Sequence, residues 1–359
     1  MNAQLRPEPD NDEVKRTIAA QQAREISSLT LTLRALQPIL TRADVTEICI
    51  NRPREAFLET NSGWERVPLP FADFGWCYRL CKLVANATRQ RITEEAPVLS
   101  AALPGGERIQ LVLPPATTPG SVAITIRRPA GKVWSLDEMA AMGLFAQARR
   151  ATVALDEVEQ QLLALLAKGD YQEFMRIAVI NRKNIVISGA TGSGKTTFCK
   201  ALIRSIPPYE RLITIEDAPE LVLDSHPNHV RLFYSKGDQG QARVTPRQLL
   251  ESCLRMRPDR ILLAELRSDE AFDYLRSANS GHPGSITSVH ASSAELAFEQ
   301  LTLLCKQSKS GGDLPREEIK ALLYTLVDIV VQFAVIDHRR CVSEIWYDPA
   351  RKRALAAGA

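Results

Sequence analysis

The stretch Gly189-Ala-Thr-Gly-Ser-Gly-Lys195-Thr196 decides the fold of this chain. It fits the phosphate-binding pattern of glycine, four residues, glycine, lysine and threonine without a mismatch. Residues 184–188 before it are typical of a buried strand, and residues 197–203 after it are typical of a helix. A strand, a glycine loop and a helix N-terminus direct backbone N–H groups and the positive end of a helix dipole at one anion. The stretch therefore predicts a nucleoside triphosphate site.

The pattern also assigns roles to the side chains of this loop. Lys195 is expected to reach the β- and γ-phosphates, and the Thr196 hydroxyl is expected to hold Mg²⁺. The hydroxyls of Thr191, Ser193 and Thr197 are candidates for further contacts. The complete set of predicted ATP-binding residues is Gly189, Ala190, Thr191, Gly192, Ser193, Gly194, Lys195, Thr196 and Thr197.

The composition is that of a globular protein with more than one domain. The chain has 359 residues, of which 45% are hydrophobic and 24% charged, and its net charge of +3 favours neither nucleic acid nor lipid as a partner. The longest apolar stretch, residues 322–336, is interrupted by Asp328 and Gln332 and falls short of the ~20 residues that cross a bilayer. Residues 1–28 contain no apolar signal region, and the seven cysteines are scattered, so we expect reduced thiols in the cytoplasm.

The periodicity predicts an α/β fold in two parts. We expect a polar N-terminal segment (1–28), a mixed α/β domain (29–128), a linker (129–151) and an ATPase domain (152–359). In the last part, strands alternate with helices, which predicts a mainly parallel sheet covered on both faces. The amphipathic stretch 13–40 contacts either the membrane or its own domain, and packing on its own domain is the favoured interpretation.

Several acids and histidines fall at predicted strand ends, where ligands bind to open α/β sheets. Glu265 ends an apolar strand and is a candidate Mg²⁺ contact through water, while Glu216 and Asp217 end another strand. One acid is expected to polarise the attacking water and another to order the metal shell, and the sequence leaves their roles open. His282 and His290 are alternative candidates for a sensor of the γ-phosphate.

Four segments together resemble the secretion ATPases of type II and type IV systems: residues 189–196, 215–220, 257–267 and 280–291. Residues 46–53, 103–110 and 124–129 also resemble the N-terminal domain of the type IV secretion traffic ATPase. The resemblance extends over about residues 30–350. It implies an N-terminal α/β domain joined to a RecA-like motor domain, with ATP bound between the two.

This resemblance also implies activity, location and partners. Six copies are expected to form a ring at the cytoplasmic side of the inner membrane, peripheral to it, and to hydrolyse ATP to power DNA or protein transfer or pilus biogenesis. The partners implied by the resemblance are the inner-membrane components of a secretion apparatus and the transported substrate. Carried over residue by residue, the catalytic set is Lys195, Glu216, Glu265, His290, Arg108 and Arg127, with the two arginines reaching the terminal phosphate.

Two other classes of function fit a phosphate loop: another kind of motor, and a non-motor protein that is either a kinase or a scaffold. A RecA-like nucleic-acid translocase or helicase would carry a basic, aromatic-rich surface, and the low net charge and 6% aromatic content argue weakly against it. A kinase would transfer phosphate to a small acceptor, and a nucleotide-regulated scaffold would bind without turnover.

Overall fold

A computed structural model describes residues 11–129, 131–148, 152–235, 240–279, 281–308 and 311–357. The chain divides into two compact units. The first comprises residues 1–114 and 119–129, and the second comprises residues 115–118 and 130–359. Of the polar segment predicted over 1–28, the described part, residues 11–28, lies in the first unit, and residues 1–10 are outside the described residues. Of the linker predicted over 129–151, residues 131–148 are described and belong to the second unit, and the domain boundaries stay a prediction.

The first unit is a six-stranded antiparallel sheet with helices. The strand order is β3-β2-β1-β6-β5-β4. Its elements are α1 (Asn11–Leu33), a 3₁₀ turn (Arg34–Leu36), α2 (Gln37–Leu40), β1 (Val45–Ile50), β2 (Glu55–Thr60), β3 (Gly63–Pro68), α3 (Phe74–Ala87), β4 (Val98–Ala102), β5 (Arg108–Val112) and β6 (Ala123–Arg127). The sequence predicts a helical stretch over 13–40, strands over 47–51, 56–60, 64–69, 107–113 and 122–127, and a helix over 74–88, but it does not predict β4.

One apolar core holds this unit together. Leu29, Leu33, Leu36 and Leu40 recur at helical spacing and are buried in the same cluster as the inner face of the sheet. In α3, the Asp73 carboxylate accepts a hydrogen bond from the backbone N–H of Trp76 at 2.7 Å and caps the helix. The apolar stripe of the N-terminal helical region therefore packs on its own domain.

The second unit carries the phosphate loop. Its elements are α4 (Leu136–Ala141), α5 (Glu157–Lys168), α6 (Tyr171–Ile180), β7 (Ile185–Gly189), α7 (Lys195–Arg204), β8 (Leu212–Glu216), β9 (His229–Phe233), α8 (Pro246–Cys253), β10 (Arg260–Leu263), α9 (Glu270–Asn279), β11 (Ile286–Val289), α10 (Ala294–Gln307), α11 (Arg316–Leu326), β12 (Ile329–Ile336), β13 (Arg339–Tyr347) and α12 (Pro349–Ala356). The strands form the orders β10-β8-β9 and β11-β7-β12-β13, and every pair except β12–β13 is parallel. The mainly parallel sheet is confirmed.

Buried polar side chains fix the beginnings of these strands. The Asn184 amide donates to the Leu326 carbonyl at 2.9 Å and accepts from the backbone N–H groups of Gly284 and Ser285 at 2.9 and 3.1 Å. Arg260, fully buried, makes a bidentate pair with Glu210 at 2.7 and 3.0 Å. The two networks anchor the amino ends of β7, β10 and β11, and so align the carboxyl ends on which the site is built.

The β12–β13 hairpin turns at Asp337 and His338, whose φ angles are +49° and +62°. Two consecutive positive φ angles are typical of the tight two-residue turns that match strand twist. The sequence predicts this turn at residues 338–340, so the prediction is late by one residue at its start and two at its end. As a result, Arg340 lies in strand β13 and not in the turn.

Candidate functional site

The phosphate loop connects β7 to α7 with backbone angles that glycine permits. Gly189 has a φ of +150°, and a Cβ atom there would lie 2.8 Å from the Phe333 carbonyl oxygen. Gly194, at φ +105°, precedes the first residue of α7, and no side chain among the described residues caps this helix. The free N–H groups of the first turn are available to an anion.

A cleft of about 360 Å³ opens at this loop. Of the predicted residues, Thr191, Gly192, Gly194, Lys195, Thr196, Thr197, Glu265 and His290 line it. Gly189, Ala190 and Ser193 are not part of its lining, although the first two contact Lys195 through their carbonyl groups. The lining also includes Asp217, Glu220, Arg267 and Arg340.

Lys195 folds back onto its own loop. Its Nζ donates to the carbonyl oxygens of Gly189 and Ala190 at 2.7 and 2.9 Å, and lies 3.3 Å from His290 Nδ1. Burial lowers the pKa of the Lys195 ammonium, and Arg267 lowers it further, while Glu265 acts in the opposite direction. The ammonium group is held at the loop by weak, neutral acceptors.

Glu265 is the centre of a charged network. Its Oε1 lies 2.9 Å from His290 Nε2, and its Oε2 accepts a hydrogen bond from Arg267 at 2.5 Å. Arg267 also pairs with Asp217 at 3.2 Å. Burial raises the pKa of the Glu265 carboxyl and Asp217 adds to this, whereas His290 and Lys195 lower it. The structure thus brings Lys195, Glu265 and His290 together as predicted.

Glu216 occupies a different environment. It is fully buried and is not among the residues that line the cleft. Arg231 donates to both of its oxygens at 3.0 Å, and the N–H groups of Glu220 and Leu221 donate to Oε2 at 2.9 and 2.8 Å. Glu216 therefore anchors the loop that carries Asp217 and Glu220, and the catalytic role predicted for it stays a prediction.

Of the two histidines that the sequence leaves unranked, His290 lines the cleft. His282 lies outside the cleft lining, with its Nδ1 3.0 Å from the Pro258 carbonyl oxygen. Burial lowers the pKa of the His282 imidazole, and Arg257 lowers it further. Of the two candidates, His290 is therefore the one at the cleft, and its role as a γ-phosphate sensor stays a prediction.

Arg108 and Arg127 belong to the first unit. They lie directly opposite each other on the antiparallel pair β5–β6. Arg127 also forms an ion pair with Glu47, its partner on β1. Both arginine side chains are exposed.

Arg340 and Arg267 were missed as site residues. Arg267 follows Glu265 by two residues, and this nearness in the sequence is the signal that could have identified Arg267 as a site residue. Arg340 has no local signal, since its position at the cleft depends on the pairing of β12 with β7 and of β13 with β12.

No described helix is both long and apolar enough to span a bilayer. Nor do the described residues contain a group of three or more His, Cys, Asp or Glu side chains placed to hold a metal ion.

Comparison with known proteins gives the family. The model of the family described as "Type II/IV secretion system protein" matches residues 33–341. The chain belongs to this family. The type IV secretion system protein VirB11 of Bartonella henselae is 46% identical over 345 residues, covering 92% of this chain and 97% of the relative. PtlH of Bordetella pertussis, another type IV secretion system protein, is 42% identical over 332 residues, covering 89% and 95%.

A solved structure agrees with this assignment. The VirB11 ATPase from the Brucella suis type IV secretion system, crystallised in complex with sulphate, has a TM-score of 0.86 and 48% identity over 91% of this chain and 99% of that one. This secretion family member is an ATP-hydrolysing component of type IV secretion. The predicted family, α/β fold class, enzyme class and function are confirmed.

Proposed function

We propose that the cleft at Lys195 is the place where this secretion ATPase binds ATP with Mg²⁺ and hydrolyses it. One observation carries the proposal: an uncapped helix N-terminus, a buried lysine and a Glu265–His290 pair with 2.9 Å between Oε1 and Nε2 share a single cleft. An uncapped helix start binds phosphate, and a carboxylate beside it serves the attacking water.

Binding draws on groups that are already in place. A triphosphate is a stronger acceptor than the Gly189 and Ala190 carbonyls, so Lys195 exchanges them for the β- and γ-phosphates. The loop N–H groups and the Thr191 and Thr197 hydroxyls line the same cleft and complete the cradle. Little reorganisation beyond this movement of Lys195 is needed.

The donor set fits Mg²⁺. Thr196 and Asp217 present a hydroxyl and a carboxylate to the cleft, and Glu265 would contact the ion through water; oxygen ligands of this kind are the ones that Mg²⁺ prefers. Such a set is sparse, which suits an ion that shares its remaining positions with water and phosphates. When bound, the ion neutralises charge on the β- and γ-phosphates.

Glu265 is the proposed general base. A water oxygen attacks the γ-phosphorus, the bond from that phosphorus to the β–γ bridging oxygen breaks, and Glu265 accepts the proton of the water. Burial raises the pKa of this carboxyl, which makes it a better proton acceptor. His290 and Arg267 hold its two oxygens and so fix its direction.

The wider assignments are proposals from family membership. We propose a ring of six copies, peripheral to the cytoplasmic side of the inner membrane, that works with inner-membrane components of the secretion apparatus. Arg108 and Arg127 are proposed to stabilise negative charge on the terminal phosphate. Closure of the protein around ATP and its opening after hydrolysis would power transfer of DNA or protein, or pilus biogenesis.

The test is phosphate release by the full chain. Lys195→Gln should reduce the rate about 100-fold or more, while Lys200→Gln, on the same helix and outside the cleft lining, should keep it. Chelation with EDTA should stop wild-type turnover, and native mass should show six copies with ATP. Normal phosphate release by the Lys195→Gln protein would refute the site.

A further inference from the structure

Arg340 approaches the phosphate loop from the β12–β13 hairpin. Its Cδ atom lies 3.4 Å from the position that a Cβ on Gly194 would occupy, and its side chain lines the cleft beside Thr196 and Thr197. Arg340 lies two residues after the hairpin turn, and both the turn and Arg340 itself are exposed.

The other two cations of the cleft already have partners. Lys195 donates to two carbonyls of its loop, and Arg267 pairs with Asp217 and Glu265. No hydrogen bond or ion pair joins the Arg340 guanidinium to another described residue. A guanidinium without an acid partner, lying beside free N–H groups, is suited to bind an anion.

The strand order shows which end of a nucleotide Arg340 would meet. Strand β7 lies between β11 and β12. His290 follows β11, and together with Glu265 it marks the side of the γ-phosphate. Arg340 comes from the opposite side, through β12 and β13, and contacts the loop at Gly194, one residue before α7 begins.

We propose that Arg340 binds the phosphates that ATP and ADP have in common, on the side of the loop away from Glu265. The proposal rests on the function proposed for the cleft and adds a nucleotide-binding residue to it. A contact made equally to substrate and product contributes uniform binding, which affects KM and not kcat.

The experiment compares Arg340→Ala with the wild-type full chain. We expect KM for ATP, from the rate of phosphate release, and Kd for ADP, from titration calorimetry with Mg²⁺, to rise by the same factor of about ten. The value of kcat should be unchanged. Arg339→Ala is the matched control, because the adjacent strand residue faces the other side of the hairpin and should leave both constants as they are.

Three results would overturn the proposal. They are an unchanged Kd for ADP, a fall in kcat without a change in KM, and an equal effect of Arg339→Ala, which would assign the effect to the hairpin. Failure of the cleft itself is seen separately: in that case Lys195→Gln would bind ADP and hydrolyse ATP as the wild type does.

Discussion

Arg108 and Arg127 face each other across β5 and β6, two cations in directly opposed positions of an antiparallel pair. Like charges in such positions destabilise a sheet. Glu47 compensates Arg127 from the other side, on β1. Stability does not explain why two arginines lie opposite each other on an exposed face of the sheet. Their proposed action on the terminal phosphate does explain it.

Replacing Arg108 should therefore separate activity from stability. For Arg108→Ala we expect ATP hydrolysis to fall about 10³-fold, whereas the melting temperature should stay the same or rise because the repulsion is relieved. Arg79→Ala, an exposed arginine of α3, is the control for loss of a surface charge. A melting temperature that falls along with activity would instead indicate that Arg108 stabilises the domain.

The environment of Glu265 predicts a pH dependence. Its pKa is raised, so the free carboxylate is lost at a higher pH than for an ordinary glutamate as the solution is acidified. A general base works only when unprotonated, and kcat/KM should therefore fall on the acid side with a midpoint above the usual glutamate range.

Glu265→Gln is the companion measurement. It should reduce kcat by about 10²- to 10⁴-fold. The remaining activity should no longer show the fall in kcat/KM at acid pH that protonation of Glu265 causes. Bound nucleotide should be retained. An unchanged acid limb in the variant would assign that limb to another group, and Glu265 would lose the role of base.

The burial of Glu216 leads to the opposite expectation. Glu216→Ala leaves Arg231 without its partner and two backbone N–H groups unsatisfied, so the free energy of unfolding should fall by about 3–5 kcal/mol. Chemical denaturation measures this, and Glu265→Gln serves as the control for loss of a nearby acid. A stable Glu216→Ala protein with abolished turnover would restore the catalytic role predicted from the sequence.

Arg260 and Glu210 give a prediction that is independent of catalysis. Both are buried, and Arg260 also donates to the Val179 carbonyl at 2.8 Å. Glu210→Ala should destabilise the second unit by about 3–5 kcal/mol, because it leaves a buried guanidinium without a counter-charge. Glu251→Ala, at an exposed pair of α8, should change the unfolding midpoint little.

Local sequence identified much of the site for a physical reason. The glycine loop, its strand and its helix are adjacent in the chain, so their arrangement depends on backbone angles and on short-range hydrogen bonds. Glu265 and His290 were found because each follows a strand, and parallel strands place their carboxyl ends together. Strand β4 was missed because Val98-Leu-Ser-Ala-Ala102 has weak strand character, and it forms through pairing with β5.

The burial of Glu216 could not be predicted in the same way. Asp217 follows it immediately, and nothing in the sequence states which of the two faces the cleft. The choice depends on Arg231, which β9 brings alongside β8 in parallel register. The Arg231 guanidinium pairs with Glu216 inside the unit, and Asp217 is the acid that lines the cleft.

By itself, the sequence determined that this chain has a phosphate loop on a mainly parallel sheet and that it is a secretion ATPase, because each motif that indicates these properties consists of residues close together in the chain. Only the tertiary structure decided that Glu216 is an anchor, that Asp217, Arg267 and Arg340 line the cleft, and that Lys195 rests on its own loop. Those outcomes depend on which distant strands pair and in what register, and on which charges the pairing buries together.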